Sequence, residues 1–254
     1  MTSLLAISLI GLTLAMAPLV GVVGAVRAAE LQVLAGGGIA APMNELAKQF
    51  ESATGHKLKI RYGTTPDLIK MATSGDPFDL AVVPREVFRD EAARAMIPGP
   101  TVDIARVGLG VAVHAGAAKP DISSEAAFKQ ALVSAKSIAT IPASAGGMQV
   151  LKLFERLGIA TETNAKVKAA AGPAELVKTM AAGEAELGLF LINVLTAPGI
   201  DVVGPVPAGL SQDIVYIGGV ANGATDPAAA RAFLDFLQTP EAKKVIVSKG
   251  MMTP

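Results

Sequence analysis

The sequence KIRYGTTPD, residues 59–67, decides how this chain folds. Alternating apolar residues before Gly63 predict a strand, and the polar residues after it are typical of a helix start. Thr65 suits the N-cap, Pro66 suits the first helical position because it has no N–H to leave unpaired, and Asp67 suits the positive end of the helix. Hydroxyls and free N–H groups therefore gather at the carboxyl end of a strand, where α/β sheets bind ligands and helix N-termini hold anions. The simpler interpretation is that the threonines only cap a helix.

The composition excludes several classes of protein. Among the 254 residues, 22 Lys and Arg balance 22 Asp and Glu, so the chain has no electrostatic footprint for nucleic acid. It has no cysteine, which excludes disulfides, thiolate chemistry and zinc sites built on sulfur. The length suffices for one large α/β domain or two small ones. We expect a monomer without cofactor or metal.

The N-terminal segment predicts export. Residues 2–26 carry no charge, and Val26 and Ala28 have the small-residue spacing of a signal-peptidase site. We therefore predict a signal peptide over residues 1–28 and a mature chain from about Ala29. The alternative is an uncleaved anchor, because the apolar stretch is long enough to span a bilayer and lacks the usual Lys or Arg before it. In both cases the globular part is exported, and we expect it in the periplasm.

Polar or glycine-rich turns between a strand and a helix recur along the chain. They lie at residues 35–38, 63–65, 143–147 and, more weakly, 170–172. Such turns offer backbone N–H groups and hydroxyls to an anion without a full positive charge. The glycines of the first turn lack the G-x-G-x-x-G spacing of a dinucleotide site. The repetition predicts two halves that close on a small anion.

The order of the elements divides the chain into two lobes. Residues 107–113 are interpreted as a crossing strand, because glycines punctuate it and new βα units begin after it, and residues 213–220 as the returning strand. We predict an α/β fold in which each lobe is a mixed sheet flanked by helices. Lobe I comprises residues 29–107 and 219–254, and lobe II comprises residues 108–218.

Catalytic motifs are scarce. The sequence contains no G-x-S-x-G elbow, P-loop, H-E-x-x-H or cluster of metal ligands. His56 follows a helix and is expected to be solvated. His114 ends the first crossing strand, near any cleft, but lacks a partner that would make it a catalytic unit.

Several motifs resemble the periplasmic molybdate-binding family of ABC-transporter solute receptors. They are AGGG at 35–38, LAKQFE at 46–51, TG at 54–55, GTT at 63–65, SGDPFD at 74–79, GEAELG at 183–188, AFLDFL at 232–237 and PEA at 240–242. The resemblance covers essentially the whole mature chain. It implies a type II periplasmic-binding-protein fold, a location outside the cytoplasm, a small anionic ligand and a membrane permease as partner.

The resemblance also implies ligand-binding positions. The serine of the first turn falls at Gly38 and so loses its hydroxyl, the second serine falls at Thr64 or Thr65, and the second-lobe alanine falls near Ala145. The tyrosine of a late strand falls at Leu191, which cannot hydrogen-bond. With the turns, this predicts a ligand site of Gly37, Gly38, Ile39, Thr64, Thr65, Arg85, Ser144, Ala145, Gly146, Gly172, Leu191 and Asn193.

Arg85 makes an organic carboxylate the expected ligand, because it follows a strand on the cleft side and an arginine fork matches a carboxylate. The alternative is a surface arginine paired with Glu86 or Asp90. With two hydroxyls missing, molybdate is expected to bind weakly. Aconitate isomerase, an exported enzyme, resembles the same family, and proton transfer next to a carboxylate needs a base. Glu86 and His114 are the candidates for that base.

Overall fold

The computed structural model describes residues 28–254. The predicted signal peptide, residues 1–28, and the alternative anchor fall on residues 1–27 but for Ala28, and residues 1–27 lie outside the described part. No helix within residues 28–254 is both long enough and apolar enough to cross a bilayer.

The first lobe opens with a run of strands and helices in alternation. Its elements are β1 (Glu30–Gly36), α1 (Ala40–Thr54), β2 (Lys57–Gly63), α2 (Thr65–Thr73), β3 (Leu80–Pro84), α3 (Glu91–Ala95) and β4 (Val102–Val107). Short 3-10 turns, Gly37–Ile39 and Arg85–Arg89, precede α1 and α3. The second half of the predicted opening motif, a helix after 63–65 and a buried strand before Pro84, is confirmed.

The second lobe repeats the alternation, and the chain then returns. Its elements are β5 (Leu109–His114), α4 (Glu125–Ser134), β6 (Ile138–Thr140), α5 (Ala145–Arg156), α6 (Ala160–Asn164), β7 (Val167–Ala169), α7 (Pro173–Ala181), β8 (Leu187–Leu191), α8 (Ile192–Leu195) and β9 (Ile200–Pro205). The returning part comprises β10 (Ile214–Val220), α9 (Pro227–Leu237) and α10 (Pro240–Ser248).

The strands form two five-stranded sheets, in the orders β2-β1-β3-β10-β4 and β7-β6-β8-β5-β9. Each sheet is mixed: β1 runs parallel to β2 and β3, while β10 is antiparallel to both of its neighbours. In the second sheet β6 is parallel to β7 and β8, and β5 is antiparallel to β8 and β9. The predicted α/β fold of two mixed sheets flanked by helices is confirmed.

The chain crosses between the sheets twice. Gly108 alone separates β4 of the first sheet from β5 of the second, so residues 107–113 are a strand end, a crossing and a strand rather than one crossing strand. The return lies before β10, because every residue of β10 belongs to the first sheet. The predicted lobe boundary between residues 218 and 219 thus falls inside a strand whose apolar residues pair with β3.

A continuous cluster of buried side chains runs through both lobes and includes Val107, Leu109 and Ile214 beside the crossings. In lobe I a buried carboxylate joins the returning chain to the opening segment. Asp79 accepts hydrogen bonds from the Gln32 N–H at 2.7 Å and from the N–H and hydroxyl of Thr225, both at 2.7 Å. These bonds fix the lobe I sheet that carries half of the site.

The solvated position expected for His56 is wrong. The side chain is only 5% exposed, its ring stacks on Phe50 with centroids 5.7 Å apart, and its Nδ1 accepts a hydrogen bond from the Ala29 N–H at 3.0 Å. Packing against Phe50 of α1 and the hydrogen bond from Ala29 bury His56, although its position in a loop led us to expect exposure.

Candidate functional site

A small cleft lies between the lobes at the strand-to-helix turns. Its volume is about 20 Å³, little more than one ordered water molecule needs. Lobe I contributes Gly36, Gly37, Gly38, Gly63, Thr64, Thr65, Pro84 and Tyr216; lobe II contributes Ile141, Ser144, Ala145, Gly146, Pro173, Phe190 and Leu191. None of these side chains is charged. The cleft can therefore enclose one small group, and its polar contacts come from neutral donors.

The helix α2 is capped by Thr64, not by Thr65 as the sequence predicted. Asp67 accepts from the Thr64 hydroxyl at 2.5 Å and from the Thr64 N–H at 3.1 Å, which closes a capping box one residue earlier than expected. These two bonds hold the pKa of the Asp67 carboxyl below its usual value. The shift of the cap by one residue moves Thr65 into the first helical position and releases its hydroxyl.

Thr65 is a side-chain donor that lobe I presents to the cleft. It is 6% exposed, and its hydroxyl has no hydrogen-bond partner within residues 28–254. A buried polar atom left unpaired costs on the order of 1–3 kcal/mol, so native proteins pair such atoms with other groups or with ligands. An anion in the cleft would satisfy this hydroxyl together with the free N–H at the start of α2.

Tyr216 supplies the hydroxyl that Gly38 lacks, and the sequence analysis missed it. A Cβ atom at residue 38 would lie 2.3 Å from the Tyr216 Oη and 2.6 Å from the Leu191 Cδ1, so the tyrosine hydroxyl occupies the space beside the first turn that a serine would need. The residue is 2% exposed, and burial, with a smaller contribution from the Glu86 charge, raises the pKa of its phenol. Tyr216 is therefore a neutral donor at any physiological pH.

Two features of the sequence, neither of them used in the prediction, single out Tyr216. It is one of two tyrosines in the chain and lies in the strand predicted for the return from lobe II. The sequence does not show in which direction the Tyr216 side chain points. The register of β10 against β4 shifts directly after Tyr216, and such bulges change the direction of side chains.

Lobe II offers mainly backbone donors. The Ser144 hydroxyl accepts from the Gly147 N–H at 3.0 Å and donates to the Ile141 carbonyl at 2.8 Å, so it caps α5 and is already paired. Ala145 and Gly146 occupy the first turn of α5, where N–H groups have no acceptor inside the helix. Both residues line the cleft.

Of the other predicted positions, Gly37 and Leu191 line the cleft, whereas Ile39, Gly172 and Asn193 do not. Asn193 joins the lobes, because its Nδ2 donates to the Gly38 carbonyl at 2.8 Å. Ile39 is buried in the core at 1% exposure, and Gly172 precedes α7, whose first residue Pro173 reaches the cleft in its place. The Leu191 side chain forms an apolar wall.

The structure does not bring Arg85 to the cleft. Its Nη2 contacts the two carboxylate oxygens of Asp103 at 2.8 and 3.0 Å, and the two side chains are 56% and 46% exposed. The 3-10 turn after Pro84 points Arg85 toward β4 instead of the opposite lobe. It is a surface ion pair, as the alternative interpretation held, although the partner is neither Glu86 nor Asp90.

The two candidate bases lie in different places. His114 is at the far end of β5, since Leu109 at the other end pairs with Leu191 of the cleft wall, and its Nδ1 lies 3.2 Å from the Met180 carbonyl. At about 3.4 Å per residue, β5 keeps it well away from the cleft. Glu86 is close enough to Tyr216 to affect its pKa, and one of its oxygens, Oε2, is buried without a partner among the described residues. No group of three or more potential metal ligands occurs in the described part of the chain.

Two α/β lobes that enclose a small polar cleft at their strand-to-helix turns define a two-lobed binding protein. A family model described as bacterial extracellular solute-binding protein matches residues 31–252. The chain belongs to this family, whose members are the substrate-binding components of ABC transporters and act outside the cytoplasm.

Individual relatives include an enzyme as well as binding proteins. The chain is 34% identical over 229 residues to aconitate isomerase from Pseudomonas sp., with 87% of each chain covered. It is 28% identical over 232 residues to the molybdate-binding protein ModA from Azotobacter vinelandii, with 89% of this chain and 91% of that one covered. The structure of the Azotobacter vinelandii periplasmic molybdate-binding protein superposes with a TM-score of 0.74 at 21% identity, covering 88% of this chain and 99% of that one. The resemblance to molybdate-binding solute receptors is confirmed.

Proposed function

We propose that this protein is a periplasmic receptor that captures a small anion in the inter-lobe cleft and delivers it to an ABC-transporter permease. The observation that supports the anion most directly is the set of neutral donors in a closed cleft: the hydroxyls of Thr65 and Tyr216 from lobe I and the first turn of α5 from lobe II. Preorganised neutral donors in a narrow cleft hold an anion without a counter-charge.

Because both lobes supply donors, binding of the anion would also draw the lobes together. An anion bound only to lobe I would leave Ala145 and Gly146 unpaired, whereas an anion bound by both lobes favours the closed arrangement. Closure on a ligand by hinge motion is the usual behaviour of two-lobed binding proteins, and the closed form is the one that a permease would recognise. We propose that the chain acts as a monomer and that its N-terminal segment directs export.

The structure changes the expectation about the anion. Weak molybdate binding was expected because hydroxyls are missing at Gly38 and Leu191, but Tyr216 restores one of them beside Gly38. Preference for an organic carboxylate was expected because of Arg85, which lies outside the cleft. The cleft itself therefore selects for a small anionic group, either an inorganic oxyanion or one carboxylate of an organic acid.

Thermal-shift screening followed by titration calorimetry tests this proposal. Molybdate, tungstate, sulfate, phosphate and a series of di- and tricarboxylates form the panel. An anion present at 100 times its Kd is expected to stabilise the protein by about 2.7 kcal/mol, and a cation or neutral sugar is expected to have no effect. A panel in which no anion binds would contradict the proposal.

A second candidate function is isomerisation of an unsaturated tricarboxylate. It is favoured by the 34% identity to aconitate isomerase together with the buried, unpaired Glu86 Oε2 near Tyr216, which is the kind of group that can move a proton. Proton NMR of purified protein with cis-aconitate separates the two functions. A receptor leaves the substrate unchanged, and accumulation of the trans isomer that is lost in Glu86→Gln would establish the enzyme.

A further inference from the structure

A second, larger inter-lobe space adjoins the cleft, and we call it the outer groove. Its volume is about 300 Å³, against about 20 Å³ for the cleft. Its polar lining includes Glu86, Arg89, Gln149, Lys152, Arg156 and Gln212. The outer groove lies between the 3-10 turn of lobe I, the helix α5 and the link that leads to β10. Ala145 lines both spaces, so they meet at the start of α5.

The outer groove differs from the cleft in charge. The cleft has no charged side chain in its lining, whereas three cationic side chains and one carboxylate line the outer groove. The Arg156 guanidinium is already hydrogen-bonded, because its Nη1 donates to the carbonyls of Gly209 and Leu210 at 2.7 and 3.2 Å. The Arg89 Nη2 lies 4.0 Å from the Glu86 Oε1 and so forms an ion pair with it. Lys152 makes no ion pair and no hydrogen bond with any described residue, so its ammonium group is available to a ligand.

Glu86 provides the matching acceptor. Its side chain is 15% exposed, and its Oε2 is buried without a hydrogen-bond partner within residues 28–254. An unpaired, buried carboxylate oxygen is costly unless a donor reaches it. The outer groove thus offers a free cation on lobe II, and Glu86, which lines its lobe I side, has one carboxylate oxygen without a donor among the described residues. These would suit a ligand that bears a second acidic group and a hydroxyl.

We infer that the ligand is a di- or tricarboxylic acid, one carboxylate of which is enclosed by the cleft while a second extends past Ala145 to Lys152. This inference rests on the proposed capture of an anion in the cleft. The volumes support it, because the cleft has room for one small group and the rest of a polycarboxylate must lie outside. A hydroxyl on the acid, where there is one, donates to the Glu86 Oε2.

The variant Lys152→Gln tests the inference, with Lys129→Gln as its control. Lys129 is an exposed lysine of α4 in the same lobe, and it does not line the outer groove. Both substitutions remove one positive charge, so the control measures the long-range effect of charge alone. By titration calorimetry with citrate, malate and trans-aconitate, Lys152→Gln is expected to lower affinity about tenfold or more, and Lys129→Gln less than twofold.

Sulfate and molybdate serve as ligands that fill only the cleft. Their affinities are expected to stay within about twofold of wild type in Lys152→Gln, whereas Thr65→Val lowers the affinity of every anion that binds. Equal effects of the two lysine variants on the polycarboxylates, or binding of inorganic oxyanions alone, would overturn the inference and leave the proposed function standing. If no anion binds at all, the proposed function itself fails.

Malate and succinate differ by one hydroxyl, so they test whether Glu86 accepts a hydrogen bond from a ligand hydroxyl. We expect malate to bind several-fold more tightly than succinate, and Glu86→Leu to remove most of that difference. Equal affinities in the wild-type protein would show that Glu86 does not receive a ligand hydroxyl. The circular dichroism spectrum of each variant shows whether it is folded, so a loss of binding can be separated from a loss of structure.

Discussion

The N-termini of α2 and α5 both present hydrogen-bond donors to the cleft, but the donors differ in kind. The difference determines which donors a side-chain substitution can remove. Thr64 and Ser144 each cap a helix that points its N-terminus at the cleft. The residue after the cap is Thr65 in lobe I, whose hydroxyl has no partner among the described residues, and Ala145 in lobe II, which adds only its N–H. Side-chain substitutions can therefore remove donors from lobe I, whereas lobe II binds through backbone groups that survive most substitutions.

The largest expected effect comes from adding a methyl group to the first turn of lobe I. In Gly38→Ala the new Cβ would lie 2.3 Å from the Tyr216 Oη, so the tyrosine must move out of the cleft. We expect anion affinity to fall on the order of 100-fold, and stability to fall by about 1–3 kcal/mol as in other overpacked cores. Titration calorimetry and urea unfolding measure the two effects.

The matched change in lobe II is Gly146→Ala. Its Cβ would meet side-chain atoms of Leu191 and Phe190 at 3.0 Å, which can give way by small rotations. We expect a loss of affinity below about tenfold, since no donor is displaced. A larger loss for Gly146→Ala than for Gly38→Ala would reverse the comparison between the lobes.

The two threonines of lobe I should separate binding from stability. Thr65→Val removes a donor that only a ligand can use, so affinity should fall about tenfold or more while the free energy of unfolding stays unchanged or rises. Thr64→Val removes the cap and the hydrogen bond to Asp67, so the free energy of unfolding should fall by about 1 kcal/mol with a smaller change in affinity. If both variants change the same quantity, Thr65 is not the free donor.

Ser144→Ala is the lobe II counterpart of Thr64→Val. Its hydroxyl is occupied by the Ile141 carbonyl and the Gly147 N–H, so the expected cost is about 1 kcal/mol of stability from the lost cap. Anion affinity should change less than about threefold, because the N–H groups of α5 remain. A tenfold loss of affinity at unchanged stability would mean that the hydroxyl turns to the ligand.

The smallest expected effect is on the pH dependence of stability. The Thr64 bonds lower the folded-state pKa of Asp67 from 3.8, so this carboxylate contributes stability that is fully present above that pH and is lost as the pH falls through the lower folded-state pKa. Asp67→Asn should therefore be less stable than wild type at pH 7, and the difference should shrink below about pH 4. Urea midpoints of both proteins between pH 7 and pH 3 measure this change. A difference that is constant over the range would contradict the role of the capping box.

Most of the fold could be predicted from the sequence because its signals are local. The strand, polar turn and helix around residues 59–74 follow from alternation, a cap and a proline, and a strand, polar turn and helix recur at residues 138–156. The residue at which the chain returns from lobe II to lobe I was harder to predict. Residues 214–220 form one continuous strand, and only pairing with β3 and β4 shows that all of it belongs to lobe I.

The errors at the site have a common cause, which is side-chain direction. Arg85 and Glu86 are neighbours in one 3-10 turn, yet the first points to Asp103 on the surface and the second toward Tyr216. His114 ends the apolar strand β5, but the antiparallel pairing of β5 with β8 places it at the end of the strand away from the cleft wall. Which way a strand runs and which face a turn residue occupies depend on tertiary pairing, which a single sequence does not contain.

The central claim is that neutral donors, and not an arginine, hold the anion. Titration calorimetry of Tyr216→Phe and Arg85→Ala side by side, with the tightest-binding anion of the panel, tests it most directly. The neutral cleft predicts that Tyr216→Phe binds about tenfold or more weakly, since it loses one hydroxyl next to Gly38, and that Arg85→Ala binds within about twofold of wild type. A loss of binding in Arg85→Ala with unchanged binding in Tyr216→Phe would contradict it.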